Sequence, residues 1–547
     1  MMDAIPGGWY SAAQATGSGW RAARRAFADG NHFDNSRNHQ EAIMDRRQFF
    51  KTGVQAAAAG AAISLPLDSS QAGDAPAAKP AAGAAQAPAI LVSYTADEHR
   101  RRLANVGLCT RKIRKCLRRH LITDYLPAQC VYNLGEYPSR TPWEPGEYDE
   151  QELDRLKEHG IQLIHVMDEW NDRYGLFGRN KLTAVNPEGF RRFVTMVHQR
   201  GIKILAYASS GYFAGHDPDY RTEWSRPGDV LSGWWDLPRC APASPGWRAY
   251  FLPRMVQILE DYELDGLYND WGYVPNAQKR IKQLAPDEMP VFEETPEYDG
   301  AVTDLLYLIY SEIKRRGGIY KMHADRANEP RTGGLKVYDY LWVGENVENA
   351  DGLRTATKNH TPYVVPCIQG TSAKVEGESE HFLHSIPYLQ FPLLQGGRPL
   401  TGERAVIPIP RLPGVQERGF YRAAWEYYQA HPNGPYIYGG WDPIPPNPDM
   451  RPAHARWLKQ YLPLVEDGTW AYLEIADSDL FATPLPSECV ASAFANRDLH
   501  LVLANYGQSP QRVEMADAYV PLDDTDAAPA KQWELPKRSL RILRYSA

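Results

Sequence analysis

The sequence predicts an α/β fold, a (β/α)8 TIM barrel followed by a C-terminal all-β sandwich domain. Three observations predict it. From about residue 129, short and continuously apolar runs alternate with amphipathic helices, the pattern of a parallel sheet covered on both faces. Seven such runs occur without a Gly-rich dinucleotide fingerprint, which favours a closed barrel over a doubly wound sheet. After about residue 470 the helices stop and short strand-like runs follow one another.

The elements follow in order. "MDRRQFFKTGVQAAAAGAAISLPL", from Met44, has the layout of a twin-arginine export signal: Arg46-Arg47, aromatic residues, then an Ala-rich apolar run too short to anchor in a bilayer. Residues 44–67 are therefore expected to be a signal peptide, and residues 1–43 are expected to be absent from the mature protein. The Ala/Pro-rich residues 68–89 read as a disordered linker. Residues 90–128 include the basic run "RRLANVGLCTRKIRKCLRRHLITDY", expected to be a solvated helix on the base of the barrel. The barrel is placed at 129–469 and the β-domain at 470–547.

Within the barrel, "CVYNLGEY" reads as the first strand. "DEQELDRLKEHG" is a helix with acids in its first turn and Gly160 at its end. "IQLIHVMDEW" is the second strand. "NPEGFRRFVTMVHQRG" is a helix with Asn186 as N-cap, Pro187 at its first position and Gly201 closing it. "IKILAYAS", "LDGLYND", "IYKMHAD", "YDYLWVGE" and "PYVVPCIQ" supply strands three to seven. The eighth falls in "SIPYLQFPLLQGG" or "GPYIYGG".

Composition narrows the function. The chain has 547 residues, 43% hydrophobic and 23% charged, with a net charge of −7. That balance argues against nucleic acid as a partner, whose footprint would be basic. The 15 Trp and 32 Tyr suit a carbohydrate-handling surface and equally a large barrel core. Six cysteines lie without CxxC spacing, so neither a zinc site of the usual spacing nor a disulfide framework is expected. Cys109 and Cys116 could pair. No segment after the signal is apolar enough to cross a membrane, so no membrane anchor is expected, and no cofactor is called for.

In a (β/α)8 barrel, chemistry sits at the C-terminal ends of the strands. Acids collect there: Asp168 and Glu169 after the second strand, Asp270 after the fourth, Asp325 after the fifth and Glu345 after the sixth. Trp170, Trp271 and Trp342 lie close to them in sequence. A glycosidic bond needs two carboxyls, one to protonate the leaving oxygen and one to attack the anomeric carbon or activate water. Indole rings suit the apolar face of a sugar. Asp270 and Glu345 are the candidate catalytic pair. Asp168, Glu169, Trp170, Tyr207, Tyr268, Trp271, His323 and Trp342 are the candidate substrate-binding residues, and an oligosaccharide or polysaccharide is the expected partner.

These stretches resemble the α-galactosidase (melibiase-like) clan of retaining glycoside hydrolases. "GIQLIHVMDEW" is similar to that clan's "G-i-x-x-f-x-x-D-D-G-W", and "GIKILAYAS" to its third strand. "LDGLYNDWG" is similar to its "D-x-L-K-x-D", and "LWVGENVENADGLR" to its "W-x-S-D-N-T-D-x-x-x-R-L". The resemblance implies a nucleophile at Asp270, an acid/base at Glu345 and a substrate-hydroxyl ligand at Asp168. It spans about residues 129 to 350. The sequence departs from the clan in three places. Tyr268 stands where the clan has Lys, the Gly before Trp170 is lost, and Glu345 stands where the clan has Asp. These changes bear on the sugar and leave the two-carboxylate chemistry. No counterpart of the clan's large N-terminal β-domain is expected from the residues before the first strand.

Two other readings use different residues. "EGESEHFLHS" offers Glu378, Glu380, His381 and His384, and histidines three apart on a helix can hold a divalent ion for a metal-dependent hydrolase. A non-catalytic carbohydrate-binding protein would keep the tryptophans and lose the chemistry.

Overall fold

The computed structural model describes residues 94–134, 143–171, 181–215, 217–230, 238–270, 296–324, 332–343, 350–360, 363–366, 379–397, 450–524 and 526–546. The export signal, the linker, Trp271, Asp325, Glu345 and "GPYIYGG" lie outside these residues.

Eight strands form one parallel sheet: β2 (Gln129–Asn133), β3 (Leu163–Val166), β4 (Lys203–Ser209), β7 (Gly266–Asp270), β8 (Ile319–Ala324), β9 (Tyr340–Val343), β10 (Tyr363–Pro366) and β11 (Leu394–Gly397). They neighbour one another in chain order, and β11 returns to pair with β2, Leu394 opposite Cys130. The seam between β10 and β11 is bridged where the Leu393 N–H donates to the Pro366 carbonyl at 3.1 Å. The fold is therefore a (β/α)8 barrel. Its eighth strand lies in "SIPYLQFPLLQGG".

Local sequence explains the framing. β2, β3, β9 and β10 are buried at every position, as strands covered on both faces must be. Helix α2 (Glu147–His159) ends at Gly160, whose φ of 93° only glycine adopts without strain. Helix α3 (Pro187–His198) starts at Asn186, whose side chain accepts from the Gly189 N–H at 3.0 Å. Gly266 opens β7 at φ 152°, and a Cβ there would sit 1.8 Å from the Ile319 carbonyl. Only glycine lets β7 approach β8 that closely.

The loop after β4 carries a feature the periodicity did not predict, a small antiparallel pair, β5 (Ser225–Val230) and β6 (Pro238–Cys240). Helix α4 (Pro245–Asp261) follows it, with Ser244 as N-cap, its hydroxyl accepting from Trp247 N–H. Helix α5 (Pro296–Arg315) leads into β8.

The basic run is a correction. Helix α1 (Ala96–Lys112) ends at Lys112, and Ile113–Leu121 is strand β1. β1 pairs antiparallel with β12 (Trp470–Ser478), at one edge of a seven-stranded sheet completed by β13 (Cys489–Ala495), β14 (Leu499–Asn505), β15 (Gln511–Pro521), β16 (Ala530–Leu535) and β17 (Ser539–Tyr545). The beginning and end of the described chain thus build one β-domain.

That sheet has two buried faces, read off by alternation. Ala471, Leu473, Phe494, Val502 and Ile542 join the barrel's core. Their neighbours Tyr472, Ala493, Leu501, Leu503 and Leu543 form a second core with Cys109 and Ile113. This two-sided demand explains why a run rich in Arg and Lys became a strand. β1 hides Ile113, Arg114 reaches Asp477 on β12 at 2.6 Å, and the half-buried Arg118 donates to the His360 carbonyl. Cys109 and Cys116 do not pair; the five described cysteines are free thiols.

Helices α6 (Ala350–Thr357) and α7 (Glu380–Ser385) tie the barrel to this sheet. Arg538 donates to both Glu380 oxygens at 3.0 and 2.6 Å and to Asp351 at 3.1 Å. Helix α8 (Met450–Tyr461) precedes the β-domain. Among the described residues no helix is long and apolar enough to cross a membrane.

Candidate active site

Asp270 ends β7, at the C-terminal mouth of the barrel. Its neighbour Asn269 fixes the strand's end. The Asn269 side-chain amide donates to Ser210 Oγ at 2.8 Å and to the Tyr320 hydroxyl at 2.6 Å, and its carbonyl accepts from the Ser210 N–H at 2.9 Å. The Ser209 hydroxyl donates to the Asp270 backbone carbonyl at 2.8 Å. The strand therefore ends in Asn-Asp because one residue clamps the backbone and the next faces the mouth.

The Asp270 carboxylate is treated asymmetrically. Oδ2 accepts from the hydroxyls of Tyr207 at 2.8 Å and Tyr212 at 2.7 Å, and these two hydroxyls also touch each other. Oδ1 faces His323 Nδ1 at 3.9 Å, beyond hydrogen-bond reach. Burial pushes both phenols well above the usual tyrosine range, and the carboxylates of Asp168 and Asp270 push them further. Both hydroxyls therefore keep their protons and act as donors.

Asp168 opens a single 3-10 turn after β3 and meets the buried Lys181 ammonium at 2.7 Å. Lys181 also lies 5.1 Å from the Tyr207 ring. An ion-paired carboxylate stays ionised, so Asp168 suits a sugar hydroxyl and is unfit to donate a proton.

The aromatic residues divide into two groups. His323, which faces Asp270, and Trp342 stand edge to face at 4.5 Å, and the Trp342 indole N–H has no partner among the described residues. Trp170 and Tyr268 are corrections. Trp170 is 2% exposed, stacks on Phe190 at 4.9 Å and gives its N–H to the Tyr207 carbonyl at 2.8 Å. It positions the strand that carries Tyr207 and offers no face to a sugar. Tyr268 is fully buried between His165 and His323 inside the barrel. Glu169 is also buried.

Beneath Tyr268 lies a polar layer. The Lys321 ammonium donates to Gln129 Oε1 and His165 Nδ1, both at 3.0 Å. Burial and then that ammonium hold His165 well below the usual histidine range.

The metal alternative loses its geometry. His384 Nε2 meets Glu380 at 3.2 Å and the Arg538 guanidinium at 3.0 Å, and a guanidinium excludes a cation. Among the described residues no group of three or more His, Cys, Asp or Glu could hold a metal ion. Asp339 immediately precedes β9 at the other end of the barrel, where Lys314 and Lys336 neutralise it at 3.1 and 3.2 Å.

A cavity of about 1140 Å3 also lies at that far end, walled by Tyr125, Tyr340, Tyr363, Lys314, Asp339 and Asp467. It opens at the strands' N-terminal ends, away from Asp270, and its Lys314 and Asp339 already pair with each other.

Sequence reasoning missed Tyr212, Lys181 and Ser209. Tyr212 follows β4 in "SSGYF" and Lys181 lies well downstream of Asp168. Neither position carries a local pattern, because both partnerships form across loops.

No protein-family model matches the sequence, and no curated protein sequence does either. Among solved structures, a trehalulose synthase from Pseudomonas mesoacidophila is similar over 78% of this chain and 100% of its own, with 11% identity and a TM-score of 0.47. A maltogenic α-amylase from Thermotoga neapolitana covers 77% of this chain and 99% of its own, with 13% identity and a TM-score of 0.45. A family 36 α-galactosidase from Geobacillus stearothermophilus covers 77% of this chain and 55% of its own, with 12% identity and a TM-score of 0.44. Strand order and register, rather than these likenesses, define the barrel.

Proposed function

We propose that this chain is a glycoside hydrolase that works with retention, with Asp270 as the nucleophile. One observation carries the reading. Asp270 is a carboxylate at the catalytic end of a (β/α)8 barrel whose Oδ2 is held by two phenol hydroxyls while Oδ1 has no donor among the described residues. An attacking carboxylate needs a fixed orientation and an available lone pair. Asp168, held ionised by Lys181, supplies an acceptor for a sugar hydroxyl. His323 faces Asp270, and Trp342 packs against His323. Glu345 is assigned as acid/base on the sequence resemblance. In the first step the C1–O bond to Asp270 Oδ1 forms, the bond to the leaving group breaks, and the leaving oxygen takes the acid's proton. In the second, water attacks C1, the ester bond breaks, and the water's proton passes to the base.

The test is a panel of 2,4-dinitrophenyl glycosides, followed by mass spectrometry with the matching 2-deoxy-2-fluoro sugar. Wild-type turnover and a glycosyl adduct on Asp270 are expected. An adduct on another carboxylate, or near wild-type turnover by Asp270→Asn, would overturn the assignment. Binding without turnover would favour a carbohydrate-binding protein.

We also propose export through the twin-arginine route to the periplasm or beyond, from Arg46-Arg47 and the apolar run after them. Arg46→Lys with Arg47→Lys should hold the protein in the cytoplasm. Normal export of that variant would remove the proposal.

A further inference from the structure

We infer that Tyr212, together with Tyr207, is a positioning residue that makes breakdown of the glycosyl-enzyme fast. The inference rests on Asp270 being the nucleophile.

The argument starts from charge. Asp270 is a full carboxylate before attack and a neutral ester afterwards. Donors aimed at Oδ2 stabilise the carboxylate more than the ester carbonyl, because a hydrogen bond to an ionised acceptor is the stronger one. In the first step that preference opposes reaction, since charge leaves the carboxyl as the ester forms. In the second step it assists, since charge returns to the carboxyl as the ester bond breaks. Two phenols on one oxygen therefore trade nucleophilicity in the first step for leaving ability in the second.

The geometry makes Tyr212 rigid enough for this role. Its N–H donates to Ser209 Oγ at 3.2 Å, and the same Ser209 hydroxyl holds the Asp270 carbonyl at 2.8 Å. One serine thus ties the tyrosine and the aspartate together at the backbone. On the other side Tyr212 bridges to Arg239, the Cys240 N–H donates to the Gly211 carbonyl at 2.9 Å, and the Phe213 N–H donates to the Pro238 carbonyl at 3.2 Å. The β5–β6 pair therefore holds the tyrosine segment in place. Tyr207 lies on β4, where it neighbours Tyr268 of β7 in register. The two donors reach Oδ2 from a strand and from a loop, which leaves Oδ1 as the attacking atom.

The test is Tyr212→Phe, assayed with whichever 2,4-dinitrophenyl glycoside the wild type cleaves. Such a substrate needs little help in the first step, so kcat reports breakdown of the intermediate. We expect kcat to fall by roughly 10- to 100-fold, the loss of one hydrogen bond to a charged group. KM should fall with it, leaving kcat/KM within about threefold, and the glycosyl-enzyme should accumulate in rapid-quench mass spectra. A merely structural role would lower kcat/KM as well and leave no adduct. Unchanged kcat, or a loss of kcat/KM without adduct, would overturn the inference. Should Tyr212→Phe fail to fold, Tyr207→Phe removes the other donor and is held to the same outcomes. The two levels fail differently. Wild-type turnover by Asp270→Asn removes the nucleophile assignment, whereas an inactive Asp270→Asn beside a Tyr212→Phe enzyme of unchanged kcat removes only this inference.

Discussion

Two aspartates bracket the strand β7, and the barrel treats them in opposite ways. Asp265 precedes the strand at the N-terminal end of the barrel. Its carboxylate accepts from the Ile204 N–H at 2.8 Å and meets His198 at 2.9 Å and Lys203 at 3.3 Å. Asp270 ends the strand at the other mouth, and among the described residues its carboxylate meets only hydroxyls within hydrogen-bond distance. Asp339 repeats the first pattern immediately before β9, with two lysines and the Tyr320 N–H at 3.0 Å. At the N-terminal end, carboxylate charge is cancelled and joins strands. At the C-terminal end Asp270 is oriented without being cancelled, while Asp168 is paired with Lys181.

Exchanging the experiments between the two ends is the strongest way to break this comparison. Asp270→Asn should lower turnover on the order of 10^4-fold, the scale of losing a nucleophile, with no loss of thermal stability. Asp265→Ala should leave turnover within about threefold and cost roughly 1.5–3 kcal/mol of stability, the worth of hydrogen bonds to a charged group. Activity assays and urea unfolding on both variants decide it, and an inactive but stable Asp265→Ala would erase the distinction.

Acid should act on the scaffold before it acts on the mouth. Burial holds His120, His159, His381 and His500 down to about 4 and His454 to about 3. All five stand outside the eight barrel strands. The unfolded chain takes up protons at the ordinary value near 6.5 while the folded chain refuses them until about 4. Stability should therefore be full above about pH 6.5 and fall steeply down to about pH 4. Urea unfolding at a series of pH values tests this. A flat profile, or activity lost in that window by a protein still fully folded, would move the titration to the mouth.

The smallest expected effect concerns Trp170. If it supports β4 from within the core, Trp170→Phe should cost about 1 kcal/mol from the lost bond to the Tyr207 carbonyl and leave KM unchanged. A large rise in KM with unchanged stability would return Trp170 to the substrate.

The alternation of apolar runs and amphipathic helices was enough to specify the barrel, because a parallel strand must be apolar on both faces and its helices on one. The caps at Asn186 and Gly160 were equally legible, since each depends on a residue's own backbone and side chain. Asp270 could be placed at the mouth from its position at a strand's end. Other features were not local. β1 reads as a basic helix until β12 offers it an edge and a core for Ile113. Trp170 and Tyr268 look like sugar platforms in the sequence, and only the packing of β3, β4 and β7 turns them inward. The donors on Asp270 Oδ2 come from β4 and the loop beyond it, and the counter-ion of Asp168 from a separate loop. Periodicity carries information about which face of an element is buried. The meeting of side chains from separate strands and loops depends on barrel closure and loop path, which no single stretch of sequence encodes.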